Sequence, residues 1–247
     1  MIFDALVTLC SAISSAIAAV TGFGIGSLLT PLLSLKVELK LAVALVSIPH
    51  FVATAERFWR LRKQTDPKVL LSFGITSAIG GLVGALLNTR FNSPVLTIVF
   101  GCLLVFAGLT GVTGVTERMR FGKTFAWVAG FLSGAFGGLV GNQGGIRAAA
   151  MLTFGLTPEA FVATSTAIGL IVDLARIPIY FATESAVIYS QWRIIGLMLV
   201  GVTLGTAFGI YVLSRIPKHL FKKVVSFVVL LLGVAMLYKG TRVPPYF

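Results

Sequence analysis

The sequence predicts an all-α polytopic membrane protein built from two homologous halves, each a glycine-broken helix followed by three transmembrane helices. Three observations predict it. First, 57% of the 247 residues are hydrophobic and 11% are charged, giving a mean hydropathy of +0.98; a soluble domain carries about 25% charged residues. Second, apolar runs recur at 70–87, 95–115, 125–140, 194–213 and 224–238, close to the roughly 20 residues a helix needs to span the hydrocarbon core. They lack the alternating polarity of an outer-membrane strand. Third, the chain matches itself. The run AIAAVTGFGIG from Ala16 lies over AFGGLVGNQGG from Ala135 at a shift of 119, VALVS from Val43 lies over VATST from Val162, and Arg57 lies over Arg176. After a six-residue insertion the shift becomes 125, and Gly80, Gly84 and Arg90 lie over Gly205, Gly209 and Arg215. The predicted halves are 1–115 and 124–240, with a linker at 116–123 and a tail at 241–247. Internal duplication in an apolar chain is a frequent mark of transporters.

Each half opens on a broken segment, 2–35 with its break at 22–26 and 124–154 with its break at 141–145. Each segment is long for one straight span and short for two, so the expected form is a helix, an unwound bend and a short second helix. The first segment has no basic n-region and no small-residue cleavage site, so it is expected to stay as a helix and not act as a cleaved leader. Ordinary spans follow at 40–62, 68–89 and 94–115, then at 158–182, 191–213 and 218–239.

Whether the broken segments double back or cross decides the symmetry. Re-entrant segments give three crossings per half and inverted repeats; full crossings give four and parallel repeats. Counting Lys and Arg outside the membrane, the re-entrant arrangement puts twelve on one side and six on the other, against eleven and seven for full crossings. The positive-inside rule favours the re-entrant, inverted version, with the twelve-charge side cytoplasmic. The expected location is the cell (inner) membrane, multi-pass, with the lipid bilayer as surroundings. A homo-oligomer is compatible with such a chain, and the sequence does not choose a state.

Several function classes drop out. The net charge of +12 resides mostly in residues that flank apolar spans, and there is no separate soluble domain, so nucleic acid is not an expected partner. Cys10 and Cys102 have no ligand-like spacing, so neither a disulfide framework, a metal site nor any other cofactor is indicated. An intramembrane hydrolase needs a nucleophile beside a base; the histidines are His50 and His219, and no G-x-S-G run accompanies them, so an enzyme is not expected.

The run GGLVGNQGGIR from Gly137 to Arg147 carries the chemistry. Unwound backbone in lipid costs several kcal/mol per unsatisfied group, so it survives only when buried in protein or lining a cavity. The short helix after the bend aims its free N–H groups and positive dipole end at that point, an arrangement that binds anions. Arg147 adds a full cation, Asn142 and Gln143 add amides, and Gly144 and Gly145 allow close approach. Helix packing explains Gly80 and Gly84, and Gly205 and Gly209, well; it leaves two amides and a guanidinium unexplained. The first-half break offers Gly22, Gly24, Thr21 and Ser27 without a charge, because Leu28 lies over Arg147.

A second polar cluster follows. Thr164, Ser165 and Thr166 open the next span, and about half of such hydroxyls are expected to bond their own helix backbone. Asp173 and Arg176 are three apart and can pair, either as a structural ion pair at the membrane edge or as gating or proton-linked groups. The equivalent first-half region holds His50 and Arg57. His50 lies mid-span and titrates near neutral pH, which suits either a hydrogen-bonded core residue or proton coupling.

The two breaks, AVTGFGIGSLLTPLL and GLVGNQGGIRAAAML, each followed by a small loop and a helix rich in small residues, VALVSIP and VATSTAI, resemble the sulfite exporter TauE/SafE permease family. The resemblance runs from about residue 5 to 240. It implies an inner-membrane carrier of small sulfur-containing anions such as sulfite, a sulfonate (sulfoacetate) or thiosulfate. It also implies substrate contacts at the two breaks and at Thr164, Ser165 and Thr166. Where many members carry a triple glycine, this chain has GFGIG and GNQGG. An anion channel without alternating access is the alternative that the residues leave open.

Overall fold

The computed structural model describes residues 2–22, 24–91, 93–115, 123–151, 154–212 and 218–242. Ten helices hold them: α1 (Ile2–Thr21), α2 (Ile25–Ser34), α3 (Leu39–Leu61), α4 (Pro67–Arg90), α5 (Ser93–Thr113), α6 (Lys123–Val140), α7 (Gly144–Met151), α8 (Pro158–Ser190), α9 (Trp192–Val212) and α10 (Lys218–Arg242). The element order is therefore long, short, long, long, long, stated twice. A short 3₁₀ turn, Arg62–Gln64, leads out of α3, and α4 carries a π-helical turn at Leu70–Gly74. The predicted linker lies outside the described residues except for Lys123, as does the tail beyond Arg242.

Six helices among the described residues are long and apolar enough to cross a membrane, and α2 and the 127–140 part of α6 are shorter apolar pieces. The surface is oily where a soluble protein would be charged. On α4 the outward stripe is Leu71, Ile75, Ile79, Leu82 and Leu86, whereas Ser77, Gly80, Gly81, Gly84 and Asn88 face inward. That inversion is what lipid demands: apolar side chains gain nothing by hiding from it, and polar ones must find protein partners.

Close helix approach holds the bundle together, and small residues permit it. A Cβ at Gly80 or Gly84 would collide with the α6 backbone carbonyls of Phe131 or Ala135; one at Gly205 would collide with the Ala12 carbonyl of α1. Packing is the role the sequence assigned to these glycines. The most extensive pairings are α4 with α6, α5 with α10, and α1 with α9, followed by α3 with α8. Asn88 donates to the Leu139 carbonyl at 2.7 Å, and Ser15 meets Thr206 at 2.7 Å, which pins α4 to α6 and α1 to α9.

At both breaks the chain turns back. The Ser133 hydroxyl donates to the Gln143 carbonyl at 2.8 Å, although ten helical residues span about 15 Å. A Cβ at Gly24 would lie 3.1 Å from the Ile17 side chain and 3.9 Å from the Ser14 carbonyl. α8 runs further than the predicted 158–182, to Ser190, with a kink at Glu184.

Candidate functional site

Two left-handed glycines create the site. α1 ends into Gly22 at φ 78° and α6 ends into Gly141 at φ 75°, a conformation costing other L-residues roughly 1–2 kcal/mol. Each then leads within three residues into a short helix, so the first turns of α2 and α7 meet. The Ser27 hydroxyl donates to Asn142 Oδ1 at 3.2 Å across the two breaks. Gly26 sits so close to the Gly141 carbonyl that a Cβ there would overlap it.

Between them lies a small cavity lined by Gly24, Gly26, Ser27, His50, Gly141, Asn142, Gln143, Gly144 and Arg147. The first-turn N–H groups of a helix have no partner within it, and here two helix starts open on one small space.

Arg147 is 2% exposed. Its Nη1 donates to Gln143 Oε1 at 3.1 Å and its Nη2 to the Gly22 carbonyl at 3.5 Å, which joins the second break to the first. Its Nε and the Gln143 Nε2 are buried donors without a partner. Such groups are uncommon in folded proteins, because an unmet buried donor costs about 1–3 kcal/mol.

Beside the cavity, α3 and α8 face each other along a polar stripe. His50 Nδ1 lies 2.6 Å from Asp173 Oδ2. Arg176 holds the other carboxylate oxygen with Nε at 2.9 Å and Nη2 at 2.8 Å, and its Nη1 donates to the Gly137 carbonyl at 2.5 Å. Tyr180 donates to the Gly138 carbonyl, and its ring lies under the Arg176 guanidinium. Toward the other end of the stripe, Arg57 Nη2 donates to the Thr54 hydroxyl at 3.3 Å, whereas Arg57 Nε and Nη1 have no partner. Among the described residues the buried charges are thus three guanidiniums, Arg57, Arg147 and Arg176, against one carboxylate, Asp173. With His50 neutral the cluster carries a net charge of +2.

The predicted residues mostly converge here. Asn142, Gln143, Gly144, Gly24, Ser27, Arg147 and His50 line the cavity, Gly22 contacts Arg147, and Gly145 lies in the first turn of α7. The side chain of Thr21 lies outside the described residues. The Asp173–Arg176 pair forms as its spacing predicts, and with Asp173 0% exposed the pair is buried within the protein. The expectation that half of the α8 hydroxyls bond their own helix is corrected. Thr164 Oγ1 accepts from the Asp66 amide at 2.9 Å, Ser165 donates to the Gly22 carbonyl at 3.3 Å, and Thr166 Oγ1 has no partner. The close packing of α8 against its neighbours offers better-placed partners than its own carbonyls.

Sequence reasoning missed Thr54, Ser133, Gly137, Gly138 and Tyr180. Thr54 and Tyr180 carried a signal: each lies one helical turn from a predicted residue, His50 or Arg176. The carbonyl partners at Gly137 and Gly138 carried none, because any residue supplies a carbonyl.

Fold and site together define a polytopic helical membrane protein in which two helix breaks enclose a small cationic cavity. The family model for the sulfite exporter TauE/SafE matches residues 7–236. The chain belongs to that family of membrane transport proteins. No curated protein and no solved structure matches it.

Proposed function

We propose that the chain is a secondary transporter of a small sulfur oxyanion, sulfite or thiosulfate in preference to a longer sulfonate such as sulfoacetate, held between the starts of α2 and α7 by Arg147. The observation that carries this is the buried charge imbalance of three guanidiniums to one carboxylate, with Arg147 Nε and Gln143 Nε2 unpaired beside the cavity. A cation at membrane depth costs at least about 2.5–3.5 kcal/mol, and an anion in the cavity offsets it. Ser27, Asn142 and the first-turn amides of α2 and α7 supply the remaining donors. The cavity is small, about 10 Å³ in volume and so room for about one water, which favours an anion of few atoms. His50 lines the cavity and is bonded to Asp173, and a proton on its imidazole adds charge for the anion.

The broken segments are read as re-entrant and the halves, 1–115 and 124–240, as inverted repeats in the cytoplasmic membrane. Support comes from two contacts. Asp66 N meets Thr164 Oγ1, and Lys239 Nζ meets the Ser34 carbonyl; full crossings put each pair on opposite faces of the bilayer. The packing also exchanges partners between halves: α1 with α9 mirrors α6 with α4, while α3–α8 and α5–α10 map onto themselves.

Arg147→Ala tests the site. A lost charge-assisted hydrogen bond is worth about 1.5–3 kcal/mol, so affinity for sulfite or thiosulfate, read by ligand-induced thermal shift, is expected to fall about 10–100-fold while the protein stays folded. Unchanged affinity refutes the assignment. Counterflow in proteoliposomes separates the carrier from a channel, since only a carrier accelerates exchange with anion on the far side.

A further inference from the structure

The polar stripe between α3 and α8 has one end saturated and the other open. Arg176 spends its guanidinium on Asp173 and the Gly137 carbonyl. Arg57, seven residues beyond His50 on α3, is 2% exposed, yet its Nε and Nη1 meet nothing and its one bond is to the Thr54 hydroxyl at 3.3 Å. Its neighbour Glu56 is engaged by Arg60 at 2.6 Å. Asp173, the one buried carboxylate among the described residues, is already shared by His50 and Arg176.

The register of the two helices shows what faces Arg57. His50 meets Asp173. One turn on, a Cβ at Gly169 would lie 3.5 Å from Thr54 Cγ2 and 3.3 Å from Arg147 Nη1, so Arg147 reaches the stripe at the Thr54–Gly169 level. The helices run antiparallel, so a further turn on α3 and a further turn back on α8 brings the backbone of Arg57 level with that of Thr166. Thr166 is 1% exposed, and its hydroxyl also lacks a partner. Two unsatisfied polar side chains therefore lie within about one turn of each other, with the Arg57 guanidinium reaching back to the Thr54 hydroxyl at the level where Arg147 arrives. Beyond Arg57 the α3–α4 turn carries Arg60, Arg62, Lys63 and Lys68 against Glu56 and Asp66, an excess of positive charge.

We propose that Arg57 and Thr166 form a second oxyanion subsite in series with the cavity at Arg147. An anion drawn in by that positively charged turn occupies Arg57 first and then steps no more than about one helical turn to Arg147. One hydrogensulfite ion at each position offsets the net +2 of the buried cluster. The inference rests on the anion-transport reading and adds a second position to it.

The test is equilibrium dialysis of the purified full chain in nanodiscs against radiolabelled sulfite under anaerobic conditions. Wild type is expected to bind two anions per chain. Arg57→Gln is expected to bind one, with the affinity of the remaining site changed less than about twofold. Arg57→Lys keeps the charge and is expected to retain both sites. Thr166→Val, which is close in shape to threonine, is expected to weaken the second site about fivefold or more; it carries the test if Arg57→Gln does not fold. One anion per wild-type chain, or two in Arg57→Gln, overturns the subsite and leaves the cavity standing. No binding by folded wild-type protein removes the transport reading and the subsite together.

Discussion

Asp173 is the residue on which the most interactions depend. It is fully buried and holds His50 on one oxygen and Arg176 on the other. Removing one partner of a buried ion pair costs about 3–5 kcal/mol, because the other charge is left unpaired, whereas removing both costs far less. Asp173→Asn is therefore expected to lower thermal stability in detergent sharply. Arg176→Met combined with Asp173→Asn is expected to restore part of the loss, giving a coupling energy of the order expected for residues in one network. Additive effects of the two substitutions in a melting experiment would show that the pair is not a unit. The 173–176 pair was legible from sequence because both residues ride one helix three apart. His50 as its third member was not: the contact spans 123 positions, and no local periodicity reports which faces of two distant helices meet. Ser27 with Asn142 is hidden for the same reason, although both residues were singled out separately.

At the scale of elements, glycine writes two different messages. Gly22 and Gly141 take up left-handed backbone and end a helix, and Gly26 lets the two resulting bends touch. The repeat signal exposed the first message, because the breaks align at one shift and α2 and α7 begin at matching positions, 25 and 144. The boundaries of nearly every helix were legible as well, since apolar length fixes them. The reach of α8 to Ser190 was not, because its last two turns continue beyond the apolar run and carry Glu184 and Ser190. A paired substitution separates packing glycines from silent ones. Gly26→Ala drives a methyl into the Gly141 carbonyl, and such overpacking costs about 1–3 kcal/mol or more; it is expected to lower the melting temperature and abolish anion binding. Gly196→Ala on α9 meets nothing within 4 Å and gains helix propensity of about 0.5–1 kcal/mol; it is expected to melt slightly higher and bind as wild type. Equal behaviour of the two variants would remove the role given to the contact between the breaks.

For the whole molecule, the decisive question is which turns between helices share a face of the membrane. If each broken segment doubles back, six crossings remain, and the α3–α4 turn lies on the opposite side from the α8–α9 turn. If each crosses, eight crossings place those two turns on the same side. Lys63 and Arg193 mark them, and both side chains are accessible, with Arg193 bonded to Asp4 at 2.8 Å near the start of α1. In a background with Cys10 and Cys102 replaced by alanine, Lys63→Cys is expected to resist a membrane-impermeant thiol reagent added to intact cells, and Arg193→Cys to react. The sign follows from charge: the side with Lys63 gathers twelve basic residues against six, and basic loops stay cytoplasmic. Labelling of both positions from one side would dismantle the inverted arrangement. The consequence reaches the mechanism. Inverted halves present the same broken-helix device to each face in turn, so a modest rocking of one half against the other opens the cavity at Arg147 to either side. Parallel halves offer no such exchange, and a static anion pore would then be the simpler account of the same buried cations.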